Sequence, residues 1–337
     1  MCFKELLFKF NFLYTFISVR WLMKLSGKKI ISPFYHTVID GEDFLVKHLY
    51  RPKNKLQFKQ DLNFLLTNFK PISAEILTEV VKGKKKITED SFFLSFDDGL
   101  SSFYEIIAPI LLEREIPAVV FLNNKCIGNK SLFYRYKISI LIERLSKNKL
   151  STSEKIKISN QINLNRISRD LLVKWLLKCD FNDNDKLDEL SKILKVSFED
   201  FLCKEKPYLS ESQIFELIDK GFKFGGHSFS HEAYDLLDLD EQLRQTVSSV
   251  QDVQDRFNLD YKLFSFPFSD DAVSVTFFQK IKHQEITTFG TAGLKDGNVK
   301  THIQRIPMEY NRTYSAEIII KGELVYYILK RILKIRT

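Results

Sequence analysis

The feature that most constrains the fold is a short hydrophobic run that ends in two adjacent carboxylates. Phe92–Gly99 reads Phe-Phe-Leu-Ser-Phe-Asp-Asp-Gly, and four of the five residues before the acids are phenylalanine or leucine. This composition is typical of a strand that is buried on both faces. Because strand side chains alternate, Asp97 and Asp98 are expected to point in different directions. Chemistry in α/β folds collects at the carboxyl ends of strands, although an Asp-Asp-Gly sequence can also form a plain turn.

A second polar site follows another short apolar run far downstream. Gly221–Gly226 leads directly into His227-Ser-Phe-Ser-His231. Two histidines four residues apart can bind one metal ion if the segment is helical or tightly turned, and Ser228 would suit the cap of such a helix. Alone, this spacing is more often found without a metal. Combined with the carboxylates of the first site, it indicates a catalytic Zn²⁺ site with an open coordination position.

Together, the two motifs resemble those of the polysaccharide deacetylases, metal-dependent carbohydrate esterases that remove N- or O-acetyl groups from sugars. The resemblance extends from about Ile31 to Tyr310. It includes Leu209–Gly221, which is similar to the family helix that precedes the histidine motif, and in which Ser210 and Gln213 form the pattern of a capping box.

The resemblance implies a role for each polar residue of the two motifs. Asp97 would be the general base, and Asp98, His227 and His231 would be the metal ligands. We expect the metal to be Zn²⁺, with Co²⁺ and Ni²⁺ as alternatives, because mixed nitrogen and oxygen ligands suit all three ions.

The third family motif, an aromatic-Arg-x-Pro-aromatic-Gly run, is altered in this chain. Phe264–Ser269 occupies its place, with Ser265 where the family has arginine. The family arginine orients the base, a role that Arg305 or another distant basic group would have to take over. The oxyanion contact of the family maps onto Pro267 and Phe268, through the backbone amide of Phe268. The aromatic side chains of this run are otherwise expected to form a core strand.

The catalytic acid is the second departure, because no Leu-x-His segment occurs near the C-terminus. Ile31–Val38 instead resembles the early Tyr-His segment of the exopolysaccharide-deacetylase branch, which makes His36 the preferred acid and His302 the alternative. An imidazole suits this role because its pKa lies near 6.5 and shifts easily. A purely structural His36, packed against Pro33 and Tyr35, is the other interpretation.

The resemblance therefore implies an acetyl hydrolase. Asp97 would deprotonate a metal-bound water, and His36 would protonate the departing sugar amine. The expected substrate is a cell-envelope polysaccharide, a lipopolysaccharide or a lipid-linked sugar precursor. The alternative is a carbohydrate-binding relative that keeps the metal site without turnover. The net charge of +8 suggests nucleic-acid binding as a further hypothesis. The lysines are dispersed along the sequence, however, so we expect no nucleic-acid partner.

The resemblance implies an α/β fold, a distorted (β/α)₇ barrel of the polysaccharide deacetylase type over residues 31–310. The segment between the two metal motifs is longer than a compact barrel needs, which predicts a helical insertion at about 131–205, with helical spacing at 136–145 and 171–177. The sequence supports alternation: helices near 102–114, 240–257 and 273–282 and strands at 118–122, 263–267, 286–290 and 301–308 are expected. Phe133-Tyr-Arg-Tyr136 opens the insertion. These aromatic residues are suited either to line a sugar-binding cleft or to anchor the insertion to the barrel.

The two ends of the chain are predicted to be amphipathic. Residues 1–30 are expected to form an amphipathic, apolar helical segment, whose apolar run at 10–19 is too short to span a membrane and is followed by no small-residue cleavage site. Residues 311–337 are expected to form a basic helix. Such helices either pack on the barrel or lie on an anionic bilayer. The four cysteines, Cys2, Cys126, Cys179 and Cys203, show no paired spacing. This pattern predicts reduced thiols in a cytoplasmic protein, located peripherally at the inner membrane if the helices bind lipid.

Overall fold

The computed structural model describes residues 3–41, 43–163, 166–297, 299–310 and 314–333. The helices are α1 (Phe3–Lys9), α2 (Val19–Ser26), α3 (Lys55–Asn68), α4 (Ala74–Val81), α5 (Ala108–Glu113), α6 (Tyr134–Lys147), α7 (Thr152–Ile162), α8 (Arg169–Leu176), α9 (Asn184–Ile193), α10 (Phe198–Glu205), α11 (Glu211–Asp219), α12 (Leu239–Phe257), α13 (Val275–Ile281) and α14 (Ala316–Ile332). The strands are β1 (Ile30–Ile31), β2 (Pro33–Tyr35), β3 (Lys70–Pro71), β4 (Ser91–Phe92), β5 (Leu94–Phe96), β6 (Ala118–Leu122), β7 (Lys223–Gly226), β8 (Leu263–Ser265), β9 (Thr287–Gly290), β10 (His302–Gln304) and β11 (Ile306–Pro307).

The main sheet is a nearly closed barrel of parallel strands. Its order is β10-β9-β8-β7-β6-β5-β2-β11. The two outermost strands are consecutive pieces of one segment: β10 pairs with β9 and β11 pairs with β2. Only Arg305 separates these two pieces. Counted as one interrupted strand, they close a seven-stranded barrel, and the predicted distorted (β/α)₇ architecture is confirmed.

The strands follow the hydrophobic runs that predicted them. Every residue of β6 is buried, as expected for a parallel strand that is covered on both faces. Two predicted strands are shorter in the structure. The strand expected at 263–267 ends at Ser265, two residues before Pro267, whose missing N–H cannot join a ladder. The strand expected at 301–308 is interrupted at Arg305 because this residue directs its side chain into the barrel.

The segment between β6 and β7 contains the predicted helical insertion. Helices α6 to α10 lie within it, and the two stretches with helical spacing correspond to α6 and α8. These helices have a hydrophobic core of their own, which includes the fully buried Leu141, Leu172, Leu187 and Leu190. The insertion is thus a packed unit, and its first helix borders the carboxyl ends of the barrel strands.

The two ends of the chain meet on one side of the barrel. The N-terminal segment is divided into α1 and α2, which are joined by a 3₁₀ turn at Asn11–Leu13. Gly322 of α14 is in close contact with Phe8 and Tyr14, since a Cβ atom at this glycine would lie 2.3 Å from Phe8 and 2.8 Å from Tyr14. No helix in the described part of the chain is long and apolar enough to cross a membrane. Cys2 and residues 311–313 and 334–337 lie outside the described residues.

Candidate active site

The adjacent carboxylates at the end of β5 face different partners, as strand alternation predicts. Asp97 contacts Arg305, whereas Asp98 contacts His231. The chain turns sharply here, with φ of 71° at Asp98 and 65° at Gly99. A side chain at Gly99 would approach Leu122 to 2.7 Å. A non-glycine residue held in the left-handed region is strained, and such strain is common at functional sites.

Asp98, His227 and His231 come together as a candidate metal site. Their ligand atoms lie within 4.8 Å of one another, and all three residues are buried. Oδ1 of Asp98 is 3.1 Å from Nε2 of His231 and 3.7 Å from Nε2 of His227. In the described part of the chain this oxygen has no hydrogen-bond partner, which is unusual for a buried carboxylate. A divalent cation bound by these three atoms would supply the missing partner.

The surroundings of His227 also suit a metal ligand. Its Nδ1 lies 2.8 Å from the backbone oxygen of Ser265, so Nδ1 carries the proton and Nε2 presents a lone pair to the site. Burial lowers the pKa of His227 to about 4. The imidazole is therefore neutral at physiological pH, which is the state that binds metal.

The histidine motif forms an irregular turn, and no helix begins at Ser228. The backbone N–H of His231 donates to Oγ of Ser228 over 2.7 Å, and both residues have positive φ values of 59° and 62°. The prediction that Ser228 caps a helix is thus wrong, because no helix follows it. Ser228 does accept a backbone hydrogen bond, but it does so within a turn. A tight turn brings the two imidazole rings to a centroid separation of 4.6 Å, close enough to share one ion.

The insertion covers the metal site with aromatic side chains. Tyr136 of α6 donates its hydroxyl proton to Oδ2 of Asp98 over 2.5 Å. The ring of Phe133 lies 4.2 Å from the ring of His231. Both side chains also belong to the hydrophobic core of the insertion. The interpretations of the Phe133–Tyr136 segment as an anchor and as a lining of the site are therefore compatible, since the same residues pack in the insertion core and line the cavity.

Arg305 occupies the position that orients the candidate base. Its two terminal nitrogens donate to the two carboxylate oxygens of Asp97 over 2.7 and 2.8 Å. The same guanidinium also donates to the hydroxyls of Ser95 and Ser265. Burial alone would raise the pKa of Asp97, but the Arg305 charge outweighs it and the pKa lies below its usual range. Ser265, which stands where the family motif has arginine, accepts a hydrogen bond from Arg305.

His36 follows β2 and is paired with a carboxylate. Its Nδ1 lies 2.5 Å from Oε2 of Glu309, and Glu309 also accepts the backbone N–H groups of His36 and Thr37. Burial on its own lowers the pKa of His36, but the Glu309 carboxylate raises it to about 9. The imidazole is therefore protonated at neutral pH, the state required of a general acid.

His302 is placed outside this arrangement. Its Nε2 is 3.0 Å from Oδ2 of Asp270, and its Nδ1 is 2.9 Å from the Thr288 hydroxyl. Both ring nitrogens are thus used by neighbouring strands and loops, and His302 does not line the cavity that contains the other site residues. This geometry favours His36 over the alternative acid.

One cavity of about 330 Å³ joins these groups. The residues that line it are Phe34, His36, Leu49, Tyr50, Asp97, Asp98, Phe133, Arg135, Tyr136, His227, His231, Phe268, Thr291 and Pro307. Phe268 is held by its backbone oxygen, which accepts the Thr291 hydroxyl over 2.8 Å. Pro267 is buried behind it and does not line the cavity.

Two polar partners were not predicted from the sequence. Glu309 follows the last barrel strand and belongs to no motif, although a carboxylate just beyond a strand end is itself a signal. Tyr136 was predicted only as an aromatic residue that either lines the cleft or anchors the insertion, because its hydrogen bond to Asp98 depends on how the insertion packs.

Comparison with known proteins supports the fold. No protein-family model matches the sequence, and no curated protein does. The deacetylase PplD from Streptococcus pyogenes is 14% identical, with 88% of this chain and 98% of that chain covered and a TM-score of 0.55. IcaB from Ammonifex degensii is 14% identical over 88% and 97% of the two chains, also with a TM-score of 0.55. BC0361, a polysaccharide deacetylase from Bacillus cereus, is 12% identical over 88% and 69%, with a TM-score of 0.52. The chain therefore has the fold of the polysaccharide deacetylases.

Proposed function

We propose that this protein is a metal-dependent deacetylase that hydrolyses acetyl groups, N-acetyl groups first, on a sugar or glycan. A single observation carries the proposal. One cavity contains a carboxylate held by a buried arginine, an Asp-His-His metal site and an imidazole held protonated by a carboxylate. A base, a Lewis-acid site and an acid are the three components that hydrolysis of an amide needs without a nucleophilic side chain.

Asp97 is proposed as the general base. The two hydrogen bonds from Arg305 hold its carboxylate ionised and fix its orientation. In this position it accepts a proton from the water that attacks the acetyl carbonyl carbon. Arg305 acts through Asp97, so we assign it as a positioning residue.

Asp98, His227 and His231 would hold the divalent metal, which we propose to be Zn²⁺, with Co²⁺ or Ni²⁺ able to replace it. When bound, the metal supplies Lewis-acid chemistry, which polarises the acetyl carbonyl and lowers the pKa of water. Tyr136 orients the Asp98 carboxylate by donating a hydrogen bond to its Oδ2 atom. The backbone amide of Phe268 is proposed to donate to the oxyanion, with Pro267 buried behind it.

His36 is proposed as the general acid. Glu309 keeps its imidazolium charged and fixes the ring through Nδ1. Nε2 then carries the proton that passes to the nitrogen of the departing sugar amine as the carbon–nitrogen bond breaks. The products are acetate and the free amine. PplD, a similar deacetylase, was solved in complex with acetate, which supports acetate as the product expected here.

The proposed substrate is a cell-envelope polysaccharide, a lipopolysaccharide or a lipid-linked sugar precursor. The aromatic lining of the cavity, including Phe34, Tyr50 and Phe133, suits the apolar face of a sugar ring. We also propose a cytoplasmic location. Cys126, Cys179 and Cys203 are unpaired thiols, and this state fits a reducing compartment.

The test is acetate release from acetylated hexosamine oligomers by the purified protein, with added Zn²⁺ or Co²⁺ and with chelator. We expect metal-dependent acetate that is lost in Asp97→Asn. Full metal-dependent activity in Asp97→Asn or His227→Ala would overturn the assignment. A protein that binds one metal per chain and binds these oligomers without releasing acetate would instead be a carbohydrate-binding relative.

A further inference from the structure

The N-terminal segment exposes an unusual concentration of large apolar side chains. Phe16 is 81% exposed, Phe12 63% and Trp21 54%. The set, which we call the N-terminal apolar surface, consists of Phe10, Phe12, Leu13, Phe16, Trp21 and Leu25. Phe10 and Phe12 are in ring contact, with centroids 6.1 Å apart, and a concentration of exposed apolar side chains of this kind marks an interaction site.

These side chains cannot turn inward, because other residues of the same segment fill the contacts with the protein. Phe8 and Tyr14 are buried against Gly322 of α14. Leu22 and Met23 of α2 are buried in the main core. The segment therefore presents one apolar face to the protein and a second apolar face to its surroundings.

The segment that carries this surface is predominantly basic, although Lys28 and Lys29 pair with Asp296 and Asp90 from other parts of the chain. The 34 residues from Leu6 to Ile39 include five lysine or arginine residues and no acid. After Glu323, the C-terminal residues of the chain add four cations and no acid. Arg331 of α14 donates to the backbone oxygen of Ser26 over 2.8 Å, which places cationic residues of α14 at the end of α2. Arg331 and the basic residues of α2 thus lie on the same side of the molecule.

We propose that the N-terminal apolar surface docks on an anionic lipid bilayer, with its aromatic side chains in the headgroup region and the surrounding cations on the lipid phosphates. Aromatic residues and lysines on one exposed face are the composition of helices that lie in the interface plane, and each cation near an anionic membrane strengthens binding. A second copy fits this surface less well, because a symmetric contact would bring like charges together. This proposal goes beyond the deacetylase assignment.

The docking can be measured by the fluorescence of Trp21. The chain has two tryptophans, so Trp175→Phe leaves Trp21 as the only reporter. With vesicles of phosphatidylcholine containing about 30% phosphatidylglycerol, we expect a blue shift and quenching by brominated lipid. With pure phosphatidylcholine vesicles, we expect weaker binding. No shift with the anionic vesicles would overturn the proposal.

Paired variants separate docking from general hydrophobicity. In a flotation assay with the full chain, Phe12→Ser/Phe16→Ser is expected to lose at least about tenfold in vesicle binding, and Lys24→Glu about tenfold. The control Ile156→Ser/Val275→Ser removes side chains that are 58% and 59% exposed elsewhere and should bind as the original protein does. Equal binding by all variants would contradict the proposal.

Sedimentation of the same proteins without lipid tests the alternative occupant. We expect the original chain and Phe12→Ser/Phe16→Ser to have the same mass. A dimer that the double substitution dissociates would assign the surface to a second copy and overturn the lipid proposal. Vesicle binding is read without substrate, so its outcome is independent of acetate release.

Discussion

Arg305 interrupts the last strand of the barrel and donates two hydrogen bonds to the carboxylate of Asp97, at 2.7 and 2.8 Å. The interruption of the strand and the ion pair with Asp97 both involve Arg305. β10 ends and β11 begins on either side of this residue, and its side chain crosses the barrel interior to the end of β5. The guanidinium is fully buried, so its position is determined entirely by the barrel.

Ser265 shows how the altered motif remains compatible with an oriented base. A serine is too short to reach a carboxylate as an arginine would, but its hydroxyl accepts a hydrogen bond from Arg305 and lies 3.5 Å from Oδ2 of Asp97. The space that a larger side chain would fill is thus available to a guanidinium from another strand. We infer that Arg305 does the work of the family arginine: it comes from a different part of the chain but contacts the candidate base, Asp97.

The Arg305–Asp97 pair is predicted to support both stability and activity. Arg305→Met leaves a buried carboxylate without its cation, which costs about 3–5 kcal/mol in the free energy of unfolding. Arg305→Lys keeps the charge but loses the two-point contact, so its loss should be smaller. Urea unfolding measures the stability, and acetate release measures the activity.

The matched control is Arg244→Met, which removes an exposed ion pair with Glu241 and should change stability by less than about 0.5 kcal/mol. In Arg305→Met, the pKa of Asp97 is expected to rise because the Arg305 charge that lowers it is gone, whereas Arg305→Lys keeps a positive charge and should shift it less. The acidic limb of the pH profile of Arg305→Met should therefore move to higher pH. An unchanged limb would show that Arg305 does not act through Asp97.

The sequence predicted the convergence of Asp97, Asp98, His227 and His231 because each follows a short buried run, and parallel strands bring their carboxyl ends together. Arg305 was anticipated only as one basic group among others. The surrounding sequence, 301–308, reads as a continuous strand, and nothing local indicates where it breaks. The break depends on pairing with β9 on one side and β2 on the other.

Glu309 and Tyr136 could not be assigned from the sequence for a related reason. Glu309 lies 273 residues from His36 and Tyr136 lies 38 residues from Asp98, so both partnerships are made by tertiary packing alone. The helical insertion was predicted from its spacing, but spacing does not say which face of α6 meets the barrel. The fold was thus more accessible from sequence than the polar partners of the site.

The His36–Glu309 pair predicts the alkaline limit of activity. A general acid must be protonated, and the pKa of His36 is raised to about 9, so kcat/KM is expected to fall as the pH rises through about 9. In Glu309→Gln, the carboxylate that contributes most to raising the pKa of His36 is absent while burial still lowers it, so the limb should move to lower pH.

The control for this shift is Glu105→Gln, an exposed carboxylate near the Asp97 motif that should leave the pH profile unchanged. A profile of Glu309→Gln that keeps its limb near the original pH would mean that another group titrates there. Loss of activity at all pH values with an unchanged limb would assign Glu309 a structural role only.

His36 and His302 provide a matched pair that identifies the acid. His36→Asn is expected to lower kcat by about 10²–10⁴-fold, the usual contribution of a general acid. His302→Asn should retain activity within a few fold because His302 lies outside the cavity and interacts with Asp270. Single-turnover acetate release from both variants measures the difference. A larger loss in His302→Asn than in His36→Asn would reverse the assignment.

The hydrogen bond from Tyr136 to Asp98 predicts that the insertion tunes metal affinity. Tyr136→Phe removes the donor at 2.5 Å but keeps the ring, so the fold should be retained while Zn²⁺ and Co²⁺ bind about 10–100-fold more weakly. The control is Tyr134→Phe, which lies two residues earlier in α6 and does not line the cavity. This variant should bind metal normally. Competition with a chromophoric chelator measures both, and binding is read without substrate. Equal affinities in the two variants would mean that Asp98 is oriented by the turn at Gly99 alone, and that the insertion contributes only the walls of the cleft.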